Sequence, residues 1–486
     1  MQIRLENIGI IKNSTITLDG LTVITGKNNS GKTTVGKTLY ALLDAVSNIR
    51  QKALSDRRYY IRKQLEKARD ILDVFRYVHV QKTDKGTALF ENYPALGVFV
   101  SGDYRREGYG EDIEKYAHDL VDELTEFDVG VLREAEERHE FLYYGNLRKD
   151  FRGDQKFPFF KVFEKQRRDA LAILEQMLQT LEKDSELVDY ARESINQTLR
   201  MEFSGQIQPV RTPVSCSKIE LSEAETVYFD LTIAENHVVN NGIPVFWGSP
   251  YRKVYFIDDP FVLDDLSGWR MYRDFEVSEM ETILNPNRIG THNRRLKSTL
   301  RSGRGLNVFE QTVLDESLKR VREQIDQIIP GTFLFSSEGE YYVQNGTKLK
   351  LSNLATGSKM FSIVKILLEK GELDSDTMLI LDEPEAHLHP QWQNAFAEMA
   401  VLLVKELDVN ILLTTHSPNF MLALDANMRK YGMAEKTNFY QTDIVEDGFV
   451  QYHCVNDDMG KIYQDFLQYL SEAKMLRSKY LYDIGE

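Results

Sequence analysis

Gly26-Lys27-Asn28-Asn29-Ser30-Gly31-Lys32-Thr33-Thr34 is the stretch from which the fold of this chain can be predicted. It has the spacing G-x-x-x-x-G-K-T, which is typical of a loop that wraps around phosphates. The apolar, β-branched segment Leu21–Thr25 precedes it and predicts a buried strand. The residues after it predict a helix with one apolar face: Val35, Leu39, Leu42 and Val46. Strand, glycine-rich loop and helix in this order predict a triphosphate site and disfavour an ordinary turn with a solvated lysine.

The loop residues have separate expected tasks. The glycines allow the backbone to turn so that consecutive N–H groups point at phosphate oxygens, and the helix adds its positive N-terminal end. Lys32 is expected to reach the β- and γ-phosphates, and the Thr33 hydroxyl to ligate Mg²⁺. We therefore predict ATP and Mg²⁺ as cofactors. The candidate ATP-binding residues of the loop are Gly26, Lys27, Asn28, Asn29, Ser30, Gly31, Lys32, Thr33 and Thr34.

Composition narrows the class of protein. The chain has 486 residues, of which 42% are hydrophobic, so it can bury a large core in two or three lobes. It has no apolar run of about 18 residues, and its first residues predict a strand, so we expect a cytoplasmic protein without membrane span or signal peptide. Cys216 and Cys454 lack metal-binding spacing, which fits a reducing compartment. With a net charge of −15, contact with nucleic acid would require a local basic surface.

The predicted elements indicate an α/β fold divided by a helical insertion. Residues 51–203 are helical, charged and poor in strand patterns, and no heptad persists, so we expect a compact insertion and not a coiled-coil arm. Asn345-Gly346 predicts a hairpin turn, and helices are predicted near 307–329, 359–368 and 391–406. Strands are predicted at Ile3–Glu6, Ser14–Leu18, Leu21–Thr25, Gln206–Pro209, Val227–Ile233, Ile243–Trp247, Lys253–Ile257, Phe333–Ser336, Tyr341–Val343, Thr377–Leu381 and Asn410–Thr414.

A late apolar strand leads into the acidic residues expected to act on the nucleotide. Thr377–Leu381 is followed by Asp382-Glu383-Pro384. At the tip of a parallel strand beside the phosphate loop, Asp382 can orient Mg²⁺ and Glu383 can accept a proton from the attacking water. The alternative, an ordinary strand end with a turn, is disfavoured by the phosphate loop. We predict Asp382 and Thr33 as metal ligands and Glu383 as a catalytic residue.

Histidines follow both late strands. The apolar stretch Ile411–Thr415 leads into His416, which we predict as a second catalytic residue that hydrogen-bonds the γ-phosphate, although a strand-end histidine is often structural. His387 and His389 suggest a metal site. We disfavour that interpretation because no third ligand lies nearby at metal-binding spacing.

Together these motifs resemble those of the ABC-type ATPase heads of the RecF/SMC/OLD group. The resemblance covers about residues 1–48 and 331–420: a strand hairpin before GKNNSGKT, then LATGSK, LILDEPEAHLHP and TTHS. It implies an α/β P-loop NTPase fold of the ABC-ATPase head type with a large helical insertion. It also implies a homodimer or higher homo-oligomer in which two heads sandwich two ATPs, each phosphate loop facing the signature motif of the other head.

The signature motif of this resemblance is Leu354-Ala355-Thr356-Gly357-Ser358-Lys359, which is similar to LSSGEK. A glycine-containing turn that opens a helix leaves free amides for a γ-phosphate. The resemblance thus gives Thr356, Gly357 and Ser358 as further ATP-binding residues. Ala355 stands where the family has serine, and we expect the missing hydroxyl to affect hydrolysis more than dimerisation. The Q-loop glutamine of the family is missing, and by position alone Asp259 takes its place.

The resemblance also orders the chain into predicted parts. These are the N-terminal lobe of the head (1–50), the helical insertion (51–205), head strands (206–265), a basic loop with a helical segment (266–330), the C-terminal lobe of the head (331–455) and a helical tail (456–486). The tail is expected to pack on its own head, with an oligomer contact as the alternative.

Two basic stretches are candidates for contact with nucleic acid, an acidic partner protein or the opposing subunit. The alternative interpretation is a solvated loop for the first stretch and an ordinary amphipathic surface for the second. The first contains Arg288, Arg294, Arg295, Lys297, Arg301 and Arg304 and no acid. The second contains Arg148, Lys149, Arg152, Lys156, Lys161, Lys165, Arg167 and Arg168, interleaved with Phe157, Phe159 and Phe160.

The chain lacks the pattern of a nuclease of its own. Residues 418–486 are too few for a Toprim domain, and no HNH-like set of His, Cys and Asn occurs. The chain therefore resembles the stand-alone ATPase subunits of anti-phage systems such as Septu and PARIS, which implies a sensor or regulator of a separate effector, expected to be a nuclease. The alternatives are a RecF- or SMC-like DNA-repair ATPase that binds DNA directly and a nucleotide-gated scaffold with little hydrolysis.

Overall fold

The structure is a computed structural model, and it describes residues 1–73, 78–80, 92–102, 112–130, 132–133, 141–143, 159–182, 187–240, 242, 249–272, 291–302, 320–336 and 339–482. The chain divides into two compact units. The first, which we call the head, consists of Met1–Ile49 and Val188–Glu486, and the second, the insertion, is Arg50–Leu187.

The strands, in chain order, are β1 (Gln2–Ile8), β2 (Ile11–Thr17), β3 (Leu21–Thr25), β4 (Val78–Val80), β5 (Phe141–Tyr143), β6 (Ser217–Glu223), β7 (Thr226–Ala234), β8 (His237–Val238), β9 (Lys253–Ile257), β10 (Thr332–Ser336), β11 (Gly339–Gln344), β12 (Thr347–Lys350), β13 (Thr377–Asp382), β14 (Asn410–Thr415), β15 (Thr437–Ile444) and β16 (Val450–Cys454).

The helices are α1 (Lys32–Val46), α2 (Ile49–Ile71), α3 (Pro94–Ser101), α4 (Ile113–Glu126), α5 (Phe159–Leu181), α6 (Leu187–Glu202), α7 (Thr291–Ser302), α8 (Thr356–Glu369), α9 (Pro390–Leu407), α10 (Pro418–Tyr431) and α11 (Met459–Tyr482). Residues 320–328 are also helical. Short 3₁₀ segments lie at Pro260–Tyr272, Leu351–Asn353, Ala434–Lys436 and Glu446–Gly448.

An eleven-stranded sheet forms the centre of the head, in the order β8-β7-β6-β1-β2-β16-β15-β3-β14-β13-β9. Its half from β15 to β9 is parallel. There Thr25 lies opposite Thr415, Thr414 opposite Asp382, and Leu381 opposite Ile257. Because parallel strands end on the same edge of a sheet, this edge collects the residues that follow each strand. The phosphate loop and the acids after β13 therefore meet there.

Helices cover both faces of the parallel half, because successive residues of a buried strand point to opposite sides. On one side, Gly36 of α1 lies against the side chains of Ile380 and Phe256. On the other side, Leu379 and Leu381 belong to a buried cluster that includes residues of α8, α9 and α10. The strand, loop and helix predicted around residues 21–46 are confirmed, and so is the α/β architecture.

The smaller sheet of the head contains β10, β11 and β12. Asn345 (φ 49°) and Gly346 (φ 77°) turn between β11 and β12, as the Asn-Gly pair predicted. The buried ammonium of Lys365 donates to Asp326 Oδ1 at 2.6 Å, the carbonyl of Ile329 at 2.8 Å and that of Gly331 at 2.7 Å. These bonds satisfy a buried charge and hold the end of the 320–328 helix.

The insertion has a hydrophobic core of its own. Leu65, Phe99, Leu120 and Phe163, from four helices, are each fully buried in one cluster. Arg167 donates to the carbonyl of Thr125, in the last turn of α4, at 2.7 Å and to that of Phe127, just after the helix, at 3.0 Å. A cation is favourable at this C-terminal end of a helix. These helices pack on a shared core and form a compact unit.

The sequence pattern placed residues 188–205 in the insertion, but they pack with the head. The reason is a set of contacts along α6. The Ser194 hydroxyl donates to the carbonyl of Ala45 at 3.0 Å, and Asn196 Oδ1 accepts from the amide of Val238 at 2.7 Å. Both partners lie in the head.

The strand predicted at Gln206–Pro209 is wrong. The amides of Ile207 and Gln208 each donate to Asn236 Oδ1 at 2.8 Å in place of a neighbouring strand, so this segment is a loop. The sequence analysis did not predict β6, β15 and β16, because each of these strands mixes polar with apolar residues and has no continuous apolar run. The strand predicted at Ile243–Trp247 lies outside the described residues.

Within the described ranges, no helix is both long and apolar enough to pass through a membrane.

Candidate nucleotide-binding site

The phosphate loop has the backbone that its sequence requires. Asn29 (φ 62°) and Gly31 (φ 75°) adopt left-handed conformations, which curl the chain into the first turn of α1. At Gly26, a Cβ atom would collide with the Thr442 hydroxyl of β15, so only glycine fits. From β16, the Tyr452 hydroxyl donates to the carbonyl of Ser30 at 3.2 Å. Two strands that the sequence analysis missed therefore hold the loop in place.

Lys32 is buried, with 5% of its side chain exposed, and points back along the loop. Its ammonium donates to the carbonyls of Gly26 and Lys27 at 3.1 and 3.0 Å. It also lies 3.3 Å from Glu383 Oε1. The predicted phosphate-binding lysine and the predicted catalytic glutamate are thus in direct contact.

Thr33 and Asp382, the two predicted metal ligands, meet across the sheet edge. The Thr33 hydroxyl donates to Asp382 Oδ2 at 2.7 Å, and the Thr414 hydroxyl donates to Oδ1. Burial raises the pKa of Asp382, hydrogen bonds from Thr414 and Thr33 oppose this, and the charges of Glu383 and Asp258 raise it further. A hydroxyl and a carboxylate in such a negative environment suit Mg²⁺, which prefers oxygen ligands.

Glu383 occupies a strained position. Its φ of 49° lies in the left-handed region, which costs a residue with a Cβ on the order of 1–3 kcal/mol. The backbone stays there because the Glu383 amide donates to the carbonyl and the hydroxyl of Thr414, both at 3.1 Å. Glu383 Oε2 lies 3.0 Å from His416 Nδ1. Its carboxylate is therefore held between Lys32 and His416.

Glu385, which the sequence analysis did not select, lies behind His416. It is 1% exposed, and its Oε1 accepts from the Thr415 hydroxyl at 2.5 Å and from the His416 amide at 3.3 Å. Burial raises the pKa of Glu385, and these hydrogen bonds oppose the rise. Glu385 therefore fixes the backbone of His416, whose ring contacts Glu383. The sequence feature that could have identified Glu385 is its position as the second acid in Glu383-Pro384-Glu385.

A cavity of about 950 Å³ runs along this edge. It is lined by Asn28–Thr34 of the loop, by Asp382 and Glu383, and by Ile10, Phe449 and residues of the loop at 206–212. Its size matches that of ligand pockets. Ser30 Oγ and Thr25 Oγ1 beside the loop are buried and, among the described residues, have no hydrogen-bond partner. The residues present therefore fit a bound nucleotide with Mg²⁺.

The signature segment lies on the rim of this cavity, which Thr356 lines. Gly357 packs against the segment after β13, because a Cβ there would meet the His387 carbonyl at 3.3 Å. The Ser358 amide donates to the carbonyl of Ala355 at 2.9 Å. Ala355 precedes α8 without a side-chain cap from the described part of the chain, so the first amides of α8 are available to an anion.

The acid that faces the cavity after β9 is Asp258, and not Asp259 as predicted. Asp259 Oδ1 instead accepts from the Phe261 amide at 2.8 Å in a local turn. Asp258 Oδ2 lies 3.1 Å from Nε2 of His292, whose Nδ1 lies 2.6 Å from Glu202 Oε2. His292 and Glu202 belong to no motif, and sequence reasoning missed both.

The two histidines considered for a metal have other surroundings. His389 precedes α9, and its Nδ1 accepts from the Gln391 amide at 3.3 Å. His387 lines the cavity and packs edge-on against Phe261, with 6.0 Å between ring centroids.

Basic residues of the first stretch are engaged within the head. Arg295 pairs with Asp44, Lys297 Nζ lies 2.8 Å from Asp265 Oδ2, and Arg301 lies 3.9 Å from Glu340. In the second stretch Arg167 holds the end of α4, Arg168 donates to the Glu164 carbonyl at 3.4 Å, and Lys161 and Lys165 are exposed. Arg288, Arg304, Arg148, Lys149, Arg152, Lys156 and Phe157 lie outside the described residues.

We expect Lys32→Met to weaken ATP binding by about 10- to 100-fold, because charge-assisted hydrogen bonds contribute about 1.5–3 kcal/mol. Isothermal titration calorimetry with a non-hydrolysable ATP analogue and Mg²⁺ measures this. Lys474→Met, which changes an exposed lysine of α11, is the matched control and should bind like the wild type. Equal affinities of all three proteins would show that this loop does not bind the triphosphate.

His292 predicts a pH-dependent stability. Burial lowers its pKa, but Asp258 and Glu202 outweigh burial and raise the pKa to about 9. Because the unfolded value is about 6.5, the folded state binds more protons between these values. This stabilisation is complete below about pH 6.5 and is lost as the pH rises through about 9. In urea denaturation, the free energy of unfolding should fall by on the order of 1–3 kcal/mol between pH 6.5 and pH 9.5.

The matched variant for this measurement is His292→Gln, which has no titrating ring. Its free energy of unfolding should fall less over the same pH interval. An identical pH dependence in both proteins would contradict the assignment to His292.

The protein family described as "AAA domain, putative AbiEii toxin, Type IV TA system" matches residues 271–423, a range that contains the signature segment, Asp382, Glu383 and His416. No curated protein matches the chain.

Several solved structures of SMC heads are similar to this chain. One is an SMC head bound to the C-winged helix domain of ScpA (10% identity, TM-score 0.36, covering 93% of this chain and 96% of that one). A second is the SMC head domain from Thermotoga maritima (11% identity, TM-score 0.32, covering 93% of this chain and 98% of that one). A third is an Smc head with an extended coiled coil bound to the C-terminal domain of ScpA, from Pyrococcus furiosus (11% identity, TM-score 0.28, covering 97% of this chain and 98% of that one).

The phosphate loop between β3 and α1, the parallel strand β13 that ends in Asp382, and the matching AAA domain agree with one another. The chain has the α/β fold of a P-loop NTPase.

Proposed function

We propose that this chain is an ATPase that binds MgATP at the edge of the head sheet and hydrolyses it to ADP and phosphate. The observation that carries the proposal is the position of the Glu383 carboxylate, which lies between Lys32 and His416. Beside it, Thr33 and Asp382 form a 2.7 Å pair. Lys32, Thr33, Asp382 and Glu383 line one cavity, which supports their proposed roles in binding and hydrolysing MgATP.

In this proposal the loop amides and Lys32 bind the phosphates, and Thr33 and Asp382 hold Mg²⁺, which supplies positive charge to the developing phosphate oxygens. Lys32 already points at the loop carbonyls and Glu383, so a γ-phosphate would replace these acceptors. Glu383, released from Lys32, then accepts a proton from the attacking water. His416 contacts the Glu383 carboxylate from the other side, keeps it oriented, and senses the γ-phosphate.

We expect Glu383→Gln to lower kcat for phosphate release by about 10²- to 10⁴-fold while MgATP still binds, because the amide keeps the shape but accepts no proton. A coupled phosphate-release assay measures kcat, and binding of a fluorescent ATP analogue measures affinity. Glu435→Gln, an exposed control in the same unit, should behave like the wild type.

The same experiment distinguishes an ATPase that hydrolyses ATP from a nucleotide-gated scaffold that only binds it. If wild type and Glu383→Gln bind ATP and assemble alike without releasing phosphate, the chain is a nucleotide-gated scaffold. Ala355, which lacks the hydroxyl of the family's signature serine, makes that outcome a defined alternative.

We further propose that two heads close around ATP as a homodimer or higher homo-oligomer, and that this movement regulates a separate effector, a nuclease, in bacterial anti-phage defence. The start of α8 at Thr356, which receives no side-chain cap from the described residues, supports an anion contact across such an interface. The sequence resemblance to stand-alone defence ATPases supports the effector. Arg295, Lys297 and Arg301 pair with acids inside the head, which disfavours direct DNA binding through these three side chains.

We expect tagged Glu383→Gln, isolated from its native host with ATP and Mg²⁺, to retain one companion protein in stoichiometric amount. Omission of nucleotide should change the amount retained, because closure of the heads depends on ATP. Mass spectrometry and nucleic-acid staining identify what is bound. Bound DNA without a companion, released by moderate salt, would instead support the DNA-repair alternative.

A further inference from the structure

The last helix of the head is packed at its start and exposed in its second half. α11 spans Met459–Tyr482, which corresponds to about 36 Å at 1.5 Å per residue. Met459 is 9% exposed and belongs to the buried cluster of the head, and Tyr463 packs against that cluster. From Ser471 to Tyr480, in contrast, every side chain is exposed. The start of the tail therefore packs on its own head, and its second half is open to solvent.

The exposed half of α11 has an apolar stripe. Leu476 and Tyr480 are 58% and 60% exposed, so large apolar groups face water here. Together with Ala473 they recur at intervals of three and four residues, which places them on one face of the helix. These are the intervals of the a and d positions of a coiled coil. In the sequence, the same alternating intervals continue towards the N-terminus at three further apolar residues: Tyr469, Phe466 and Ile462.

The charges beside the stripe fit a second copy of the same helix. If Leu476 is a d position, Glu472 is a g position and Arg477 an e position, on opposite sides of the stripe. In a parallel pair of helices, a g residue of one chain faces the e residue five positions further on in the other, and opposite charges there select the partner. Glu472 of each copy thus faces Arg477 of the other.

We propose that the exposed half of α11 pairs in parallel with the same segment of a second copy of this chain. Ala473, Leu476 and Tyr480 form the shared apolar contact, with an ion pair between Glu472 and Arg477 on either side. Most helical stability in proteins comes from the packing of an apolar face, and a second helix on this stripe supplies such packing.

This pairing needs no nucleotide, so it is a contact in addition to the proposed closure of two heads around ATP. Linking two modules turns a further association between them into an intramolecular event. Two chains joined through α11 therefore hold their heads at a high effective concentration, which favours closure of the heads once ATP binds.

A solvated helical extension is the competing explanation, because single exposed apolar side chains are common on protein surfaces. It predicts that Leu476 and its neighbour Met475, which is 71% exposed, respond alike to substitution. A paired helix predicts a difference. Met475 lies about 100° around the helix from Leu476 and outside the stripe.

The first test measures the self-association of the full chain by analytical ultracentrifugation without nucleotide. We expect Leu476→Lys to raise the dissociation constant of the dimer by about 10- to 100-fold, because each dimer loses two buried leucine side chains. Met475→Lys, which introduces the same charge at the next residue, should associate like the wild type. Both residues are exposed in the single chain, and thermal unfolding checks that both variants are folded.

Exchange of charges tests the parallel direction. Glu472→Arg and Arg477→Glu should each weaken the dimer by about three- to tenfold, because each places like charges at both flanks. The double variant Glu472→Arg/Arg477→Glu restores opposite charges and should recover most of the wild-type affinity.

A cross-link tests the register. Equal d positions meet in a parallel pair, so Leu476→Cys should form an intermolecular disulfide on oxidation. The exposed Cys216 and Cys454 are replaced by serine in this experiment. Ser478→Cys, about 200° around the helix from Leu476, is the control and should cross-link far less.

Equal association of Leu476→Lys and Met475→Lys overturns the inference, and so does a wild type that is monomeric at every concentration. If Leu476→Lys associates like the wild type but loses the companion protein in the isolation from the native host, the stripe binds that companion and the inference is again overturned. These measurements involve no hydrolysis. A wild type that dimerises in this way but releases no phosphate overturns the ATPase proposal alone.

Discussion

The hydrogen bond between Thr33 and Asp382 is the constraint on which the rest of the head depends. It joins residues 349 positions apart at 2.7 Å. It can form only if β3, β14 and β13 are parallel neighbours in one register and if α1 begins at Lys32. The same arrangement brings the ends of four strands to one edge and opens the cavity there. Sheet order, helix start and candidate chemistry therefore follow from one geometric requirement.

Charge is distributed around this bond so that each of the three neighbouring acids has a fixed partner. Asp382 has two hydroxyl donors, Glu383 has Lys32 and His416, and Glu385 has Thr415. Groups already oriented before a reaction need no reorganisation during it, which is where enzymes gain much of their electrostatic advantage. The left-handed backbone of Glu383 fits this arrangement, because a strained residue persists only where its surroundings determine it.

Local patterns were sufficient to predict the phosphate loop, the strand before it, α1 and the strand that leads to Asp382 and Glu383, because each has its signal within about ten residues. The network of Glu202, Asp258 and His292 could not be predicted, since it depends on the pairing of β9 with β13 and the packing of α6 and α7. The same register decides that Asp258, and not Asp259, faces the cavity. The loop at Gln206–Pro209 was read as a strand because the side chain that satisfies its amides, Asn236, is remote in sequence.

β3 has a consequence for how the chain is made. Its neighbours in the sheet are β14 and β15, and the turn before it is tied to β14 by the Gly20 amide, which donates to Asn410 across 390 residues. The phosphate loop in turn leans on Thr442 and Tyr452. A ribosome must therefore synthesise almost the whole head before β3 can pair with either neighbour. Until then Leu21–Thr25 is an apolar strand with two open edges, the kind of segment that chaperones protect during translation.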